Sequence, residues 1–364
     1  MIKSFRIDVP QADLDDLADR LARTRWPDEL PGAGRDYGIP LGRVRELAEY
    51  WRNGYDWRRH EAELNELPQF TTEIDGQTIH FVHVRSAKPD ALALVLIHGW
   101  PGSYLEFLDV IEPLSQDFHL VIPSIPGFGF SGPTRDRGWD IRRVARAFAE
   151  LMDRLGYGRY GAQGGDWGAG IARALGGTAP EHVVGVHLNY LPTPPPPVPG
   201  IEDALSDDDQ ARLAKIKQMV AQRPGYQVLQ GTTPQTISYA LTDSPVAQLA
   251  WIVERFDEWT DPASTIELDR VLTDVSLYWL TGTAGSSARL TRESGVGGPL
   301  SCPVPVGIAV FAHDITRSIR PFAERIHDIV HWSEFGDGGH FAAMEIPELF
   351  AGDVREFFTG LALG

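Results

Sequence analysis

The stretch Gly164-Gly165-Asp166-Trp167-Gly168 narrows what this chain can fold into more than any other. It follows the short segment Tyr160-Gly161-Ala162-Gln163, read as a strand. It precedes Gly168, Ala169, Gly170 and Ala172, whose small side chains let a helix approach a sheet closely. Glycines around one functional residue, between a strand and a helix, permit a turn sharp enough to lift that side chain clear of the sheet. Such a turn usually presents a serine. Here it presents Asp166, and an ionised carboxylate needs no base to make it a nucleophile.

The rest of the chain fits a sheet around that turn. The apolar run Ala91-Leu92-Ala93-Leu94-Val95-Leu96-Ile97 reads as a strand buried on both faces, hence a mostly parallel central sheet. Phe118 to Pro123, Val183 to Leu188, Val304 to Phe311 and Ile329 to Phe335 read as further strands. Between Ile141 and Leu155, Val144, Ala145, Phe148, Leu151 and Met152 recur at helix spacing. The fold class is α/β. Residues 1–86 form a leader rich in Trp and charge. Leu14, Leu17, Ala18, Leu21 and Trp26 predict one amphipathic helix ended by Pro27, and Leu41, Val44, Leu47, Ala48 and Trp51 a second. Ile74-Asp75-Gly76-Gln77 reads as a hairpin turn into Ile79 to Val84.

From Leu191 to Gly200, seven residues in ten are Pro or Gly, a stiff connector rather than an element. The segment beyond it reads mostly as helix, for example Ala247 to Phe256 and Leu268 to Leu280, before the sheet pattern returns at Val304. The expected division is a meander over 1–86 that wraps the core, a first core part over 87–192, a helical cap over 193–298 and a second core part over 299–364.

A length of 364 residues suits a main domain with an added lobe. The formal net charge of -17 disfavours nucleic acid and anionic membrane as partners. One cysteine, Cys302, excludes an internal disulfide and a cysteine zinc site. His80, His83, His327 and His331 lack metal-ligand spacing with carboxylates, so no metal or cofactor is expected. The first residues contain no long apolar run, and no run of ~20 occurs later, so neither a signal peptide nor a membrane anchor is expected, and a cytoplasmic protein is the expectation. The oligomeric state stays open, a homodimer included.

Asp166 implies attack on carbon to leave an alkyl ester, as in opening an epoxide or displacing a halide. His340, in Gly336-Asp337-Gly338-Gly339-His340-Phe341, is the natural base. Asp314, 26 residues upstream at the end of the preceding strand, can accept its Nδ1–H, whereas Asp337 lies on the histidine's own loop. The order nucleophile, acid, histidine is that of the α/β-hydrolases. His98-Gly99-Trp100-Pro101-Gly102-Ser103 can supply an oxyanion hole from the backbone N–H groups of Trp100 and Trp167. Epoxide opening also needs an acid for the leaving oxygen, and a neutral tyrosine from the cap suits it. Tyr226, Tyr239 and Tyr278 all lie there, and spacing does not choose among them. A haloalkane dehalogenase with the same Asp-His-acid set is the competing reading, with indole N–H groups of Trp100 and Trp167 facing the halide.

Over nearly its full length the chain resembles the microsomal-type epoxide hydrolases, α/β-hydrolases with an extended N-terminal region. The resemblance rests on Arg25-Trp26-Pro27-Asp28, Tyr50-Trp51, Tyr55-Asp56-Trp57-Arg58, Leu64-Asn65 and Pro68-Gln69-Phe70 in the leader. It continues through His98-Gly99-Trp100-Pro101-Gly102-Ser103 with Glu106-Phe107, Gln163-Gly164-Gly165-Asp166-Trp167-Gly168 and Gly338-Gly339-His340-Phe341-Ala342-Ala343. It implies an epoxide converted with water to a vicinal diol through an Asp166 ester, a base at His340 and the acid at Asp314 of Phe311-Ala312-His313-Asp314. The first epoxide-polarising tyrosine falls on Tyr226 in Gly225-Tyr226-Gln227-Val228-Leu229-Gln230. The family's second, in Ser-Ser-x-Arg-x-Tyr, falls on Thr291 of Ser286-Ser287-Ala288-Arg289-Leu290-Thr291, a departure that leaves one phenol where two are usual.

Overall fold

The apolar run after residue 91 lies at the centre of the sheet, and its depth sets the layout around it. A computed structural model of the chain describes residues 1–197, 200–222, 224–295 and 300–362. Nine strands form one sheet: β1 (Lys3–Phe5), β2 (Gln69–Ile74), β3 (Gln77–Val84), β4 (Leu92–Ile97), β5 (Phe118–Pro123), β6 (Tyr160–Gly164), β7 (Val183–Leu188), β8 (Val306–Phe311) and β9 (Ile329–Phe335). Their order is β1-β2-β3-β5-β4-β6-β7-β8-β9. Pairing from β5 through β9 is parallel throughout, and the three pairs from β1 to β5 on the other side are antiparallel. Val95 and Ile97 point to one hydrophobic cluster while Leu94 and Leu96 point to the other, because alternate side chains leave opposite faces. This is why β4 reads as unbroken apolar sequence.

The β2–β3 hairpin turns on Asp75 and Gly76, with φ of 51° and 73°. Two consecutive left-handed residues are what a tight turn between right-twisted strands requires, and an Asp-Gly pair supplies them at low cost. The short β1 gave no signal in the sequence, since three half-polar residues at an edge carry no readable alternation.

Helices cover both faces. In the leader these are α1 (Gln11–Ala22), α2 (Leu41–Asn53) and α3 (Trp57–Leu64). α1 stops at Ala22, four residues short of the expected Trp26. Thr24 turns its hydroxyl onto the Leu21 carbonyl, 2.9 Å away, and satisfies an acceptor the next helical turn would have used. Trp26 sits outside the helix, with the Arg45 guanidinium 5.2 Å above its ring. The core helices are α4 (Leu108–Ser115), α5 (Ile141–Arg154) and α6 (Asp166–Thr178).

Between β7 and β8 the chain leaves the sheet for a helical cap of α7 (Asp207–Gln222), α8 (Gly225–Thr232), α9 (Pro234–Asp243), α10 (Pro245–Trp259), α11 (Leu268–Thr281) and α12 (Ala284–Ser294). It returns through α13 (Arg320–Ala323), α14 (Ala342–Glu345) and α15 (Pro347–Ala362). Part of the expected Pro-rich connector, Val198-Pro199, and the expected cap boundary at 298 lie outside the described residues.

The leader grips the cap. Trp51 Nε1 donates to Ser276 Oγ at 2.8 Å, Tyr55 to Thr273 Oγ1 at 3.0 Å, and Tyr50 to Asp269 at 2.8 Å, all on α11. Among the described residues no helix is long and apolar enough to cross a membrane.

Candidate active site

β4 and β6 are parallel neighbours in register, with Ile97 opposite Gly164, so the loops leaving their C-terminal ends meet. The loop after β6 is a single residue, Gly165, before α6 begins at Asp166. Asp166 has φ of 46°, a left-handed backbone that Asp tolerates better than most residues. Close approach of the backbone makes this turn possible. A Cβ on Gly168 would lie 1.9 Å from the Ile97 carbonyl oxygen, and one on Gly99 would lie 2.3 Å from Asp166 Cβ. The glycines of both motifs are therefore packing requirements, felt from one loop to the other.

The Trp100 backbone N–H donates to Asp166 Oδ1 at 2.8 Å. The first turn of α6 leaves the Trp167 N–H without an intrahelical acceptor, as at any helix start. On the far side of the sheet β8 and β9 run parallel, Phe311 beside Phe335, and deliver Asp314 and His340 to the same end. His340 Nδ1 lies 2.7 Å from Asp314 Oδ1, and His340 Nε2 lies 3.6 Å from Asp166 Oδ2. Asp314 sits in the turn three residues beyond β8, not at the strand's end as expected, because the chain must bend there to reach the imidazole. Asp337 is exposed.

The histidine loop is held by the cap and by Glu345. His340 N donates to the Trp259 carbonyl at 2.9 Å, and Glu345 accepts from the N–H groups of Gly339 and Phe341.

Burial alone would pull the His340 pKa down. The Asp314 charge, then the contacts with Asp166 and Asp314, outweigh burial and raise it to about 10. His98 behaves oppositely. It is buried, its Nε2 accepts from Ile125 N at 3.1 Å, its Nδ1 faces the Gly99 carbonyl, and burial depresses it to about 4. A neutral imidazole fixed at both nitrogens ties the loop after β4 to the loop after β5.

Of the three cap tyrosines, only Tyr226 is part of this cluster. Its ring stacks on Trp100 at 5.2 Å between centroids and leans on Trp259 at 5.5 Å. Burial and then the Asp166 charge raise its pKa, keeping the hydroxyl neutral. Tyr278 is fully buried and spends its hydroxyl on the Gly102 carbonyl, 2.7 Å away. Tyr239 is 71% exposed. Thr291 Oγ1 donates to Gln230 Oε1 at 3.0 Å.

Two residues of the site went unassigned on the sequence. Tyr190, two residues past β7, meets His340 edge to face at 5.3 Å. Glu106 lies so close to Gly102 that a Cβ there would overlap its carboxylate. Burial, with the Asp166 charge, raises Glu106 to about 7 against the opposing pull of His340. Its place in the first turn after His98 to Ser103 was the available signal. A separate groove of about 980 Å³ runs between the leader and α10, lined by Trp26, Ile39, Val44, Val246 and Ala250, and none of the site residues borders it. Among the described residues no group of three or more His, Cys, Asp or Glu side chains is arranged to hold a metal ion.

The fold and this cluster define an α/β-hydrolase with a carboxylate at the strand-to-helix turn. Residues 2–107 match the family described as epoxide hydrolase N terminus, and residues 93–220 match the alpha/beta hydrolase fold. A Stigmatella aurantiaca protein provisionally named an epoxide hydrolase is 45% identical, over 99% of this chain and 85% of its own. Epoxide hydrolase 1 of Sus scrofa is 33% identical over 98% of this chain and 88% of its own. The solved structure of the Aspergillus niger epoxide hydrolase superposes with a TM-score of 0.91 at 33% identity, covering 99% of this chain and 97% of that one. The chain belongs to the epoxide hydrolase family, and it is an enzyme.

Proposed function

We propose that Asp166 is the nucleophile, His340 the base for the hydrolytic water, Asp314 the acid that orients it and Tyr226 the proton donor to the opening epoxide. The backbone N–H groups of Trp100 and Trp167 are the oxyanion donors. The observation that carries this reading is the placement of His340, with Nδ1 on Asp314 and Nε2 facing Asp166 across 3.6 Å.

In the first step an Asp166 oxygen attacks an epoxide carbon. The carbon–oxygen bond breaks, its electron pair goes to oxygen, and that oxygen takes the Tyr226 proton. The product is a hydroxyalkyl ester. Esterification removes the Asp166 charge, one of the contacts that keep His340 protonated, so the imidazolium can return a proton to the Tyr226 oxygen and become a base. His340 then takes a proton from water as its oxygen attacks the Asp166 carboxyl carbon. The ester oxygen leaves with the remaining proton of that water, releasing diol and the Asp166 carboxylate. The oxyanion formed on the way is received by two N–H groups, each of which typically lowers the barrier by ~3 kcal/mol.

The aromatic surround of Trp100, Trp259, Tyr190 and Tyr226 favours a bulky apolar or aryl epoxide. Every step is assigned to a side chain or backbone group, so epoxide and water suffice as reactants. The strongly acidic chain disfavours nucleic acid and anionic membrane as partners. The test is His340→Gln mixed with an aryl epoxide and followed by intact mass. An adduct equal to the epoxide mass should accumulate on Asp166. Unmodified protein that still turns over would sink the two-step scheme, and halide release from haloalkanes without diol formation would favour dehalogenation.

A further inference from the structure

The proton donor from the cap has a neighbour whose hydrogen-bonding capacity is half used. Gln230 lies one helical turn after Tyr226 on α8, so the two side chains share a face, with Cβ atoms ~6 Å apart. Gln230 is 1% exposed. Its Oε1 accepts from Thr291 Oγ1 on α12 at 3.0 Å, whereas its Nε2 has no hydrogen-bond partner among the described residues. A buried amide that keeps its N–H groups unpaired is uncommon enough to need a reason, and a ligand group that arrives later is one. Of the other cap tyrosines, Tyr278 is used on Gly102 and Tyr239 is exposed.

We propose that the Gln230 side-chain amide is the second hydrogen-bond donor to the epoxide oxygen, beside the Tyr226 hydroxyl, with Thr291 holding its carbonyl so that the N–H groups face the substrate. The role of Thr291 comes from its size. A threonine hydroxyl extends less far than the phenol usual at this position, and here it holds the Gln230 carbonyl instead. Proton accounting is unchanged, because Tyr226 gives up the proton and Gln230 only donates a hydrogen bond to the charge that develops on oxygen. Gln230 is then a catalytic residue, and Thr291 a positioning residue that acts through it. The inference rests on Asp166 being the nucleophile.

The experiment tracks ester formation by rapid quench and intact mass with an aryl epoxide, in the His340→Gln background, where hydrolysis does not obscure the first step. Adding Gln230→Leu should slow ester formation roughly 100-fold, as loss of one donor to a developing oxyanion does. Thr291→Val should slow it less. Because leucine could loosen the cap, Gln230→Glu provides an arm of nearly the same shape. Its ionised form offers oxygen where the N–H was, and its protonated form offers a donor, so ester formation should recover as pH falls through that carboxyl's pKa. A packing defect would give no such limb. Native rates in both Gln230 variants would overturn the proposal and leave the Asp166 reading standing. A slow rate in Gln230→Glu without the acid-side recovery would also overturn it, as would a large loss in Tyr190→Phe with none in Gln230→Leu. No adduct in His340→Gln alone would instead mark failure of the covalent reading.

Discussion

His340 Nε2 stands 3.6 Å from Asp166 Oδ2, beyond a direct hydrogen bond but well within reach of its charge. With Asp314 on the opposite nitrogen, the imidazole lies between two carboxylates in a buried site. The chemistry proposed for it needs the unprotonated ring, yet the resting site favours the protonated one. Ester formation resolves the conflict by neutralising one of the carboxylates.

That coupling has a measurable sign. His340 is raised in the folded state, so its contribution to stability is complete below the unfolded value near 6.5 and is lost as pH rises through about 10. Asp166→Asn should lower the His340 titration midpoint, read by NMR. The thermal-stability difference between native protein and variant should also change between pH 6 and pH 10, moving against the native protein. A difference constant over that window would mean that Asp166 does not set the charge on His340.

Asp314→Asn should separate the two half-reactions. The amide can present its NH₂ group to Nδ1 and so favour the wrong tautomer, an effect worth ~10⁴-fold where a triad depends on it. Ester hydrolysis should fall by about that order while ester formation changes far less, because Asp166 needs no base. Rapid-quench measurement of both steps checks this. Equal losses in the two would show that Asp314 acts on the fold rather than on the imidazole.

Much of this arrangement was legible along the chain because it is built from short loops at strand ends. The spacing of Gly164 to Gly168, the loop after β4 and the Gly-Gly-His after β9 report local backbone demands, and those are written in adjacent residues. Asp314 was separable from Asp337 because one lies across the imidazole and the other on its own loop. The cap was less legible. Tyr226, Tyr239 and Tyr278 differ in where their helices pack, and helix periodicity carries no such information. Only the fold shows Tyr278 bonded to Gly102 and Tyr226 stacked on Trp100. Tyr190 was missed for the same reason, since its environment comes from residues far away in sequence. Glu106, by contrast, carried a local signal in its place in the first turn after His98 to Ser103. The end of α1 was misread because a threonine hydroxyl competing for backbone carbonyls leaves apolar spacing intact.

Gly168→Ala tests the closeness of the strand-to-helix turn. In an ordinary helix this change should stabilise by up to about 1 kcal/mol, through propensity. Here the new Cβ would meet the carbonyl oxygens of Ile97 and His98 at 1.9 and 2.7 Å, both backbone atoms with little room to move. Overpacking of this kind typically costs about 1–3 kcal/mol, so the net effect should be destabilising. Denaturant unfolding should show a lower midpoint, and activity should fall with it as Asp166 shifts against Trp100 N. A midpoint at or above the native one would mean that β4 and α6 can separate without penalty.

Asp274 on α11 supports a stability prediction independent of catalysis. It is 2% exposed, accepts from Ser103 Oγ at 2.5 Å through Oδ1, and its Oδ2 has no partner among the described residues. Burial holds its pKa well above the ordinary carboxylate range, with the Glu106 charge adding to the effect against the Ser103 hydrogen bond. Folding therefore favours the protonated acid, while the unfolded chain ionises above about pH 3.9 and gains by doing so. The cost grows from that pH upward until the folded-state pKa is reached. Asp274→Asn keeps the shape and the Ser103 acceptor and removes the ionisation, so it should raise the thermal midpoint at pH 7 to 8. Below pH 4 the advantage should shrink, because both states of the native chain then hold the proton. A variant less stable than the native protein at pH 7.5 would mean that Asp274 is ionised in the fold and that its charge is met by a partner.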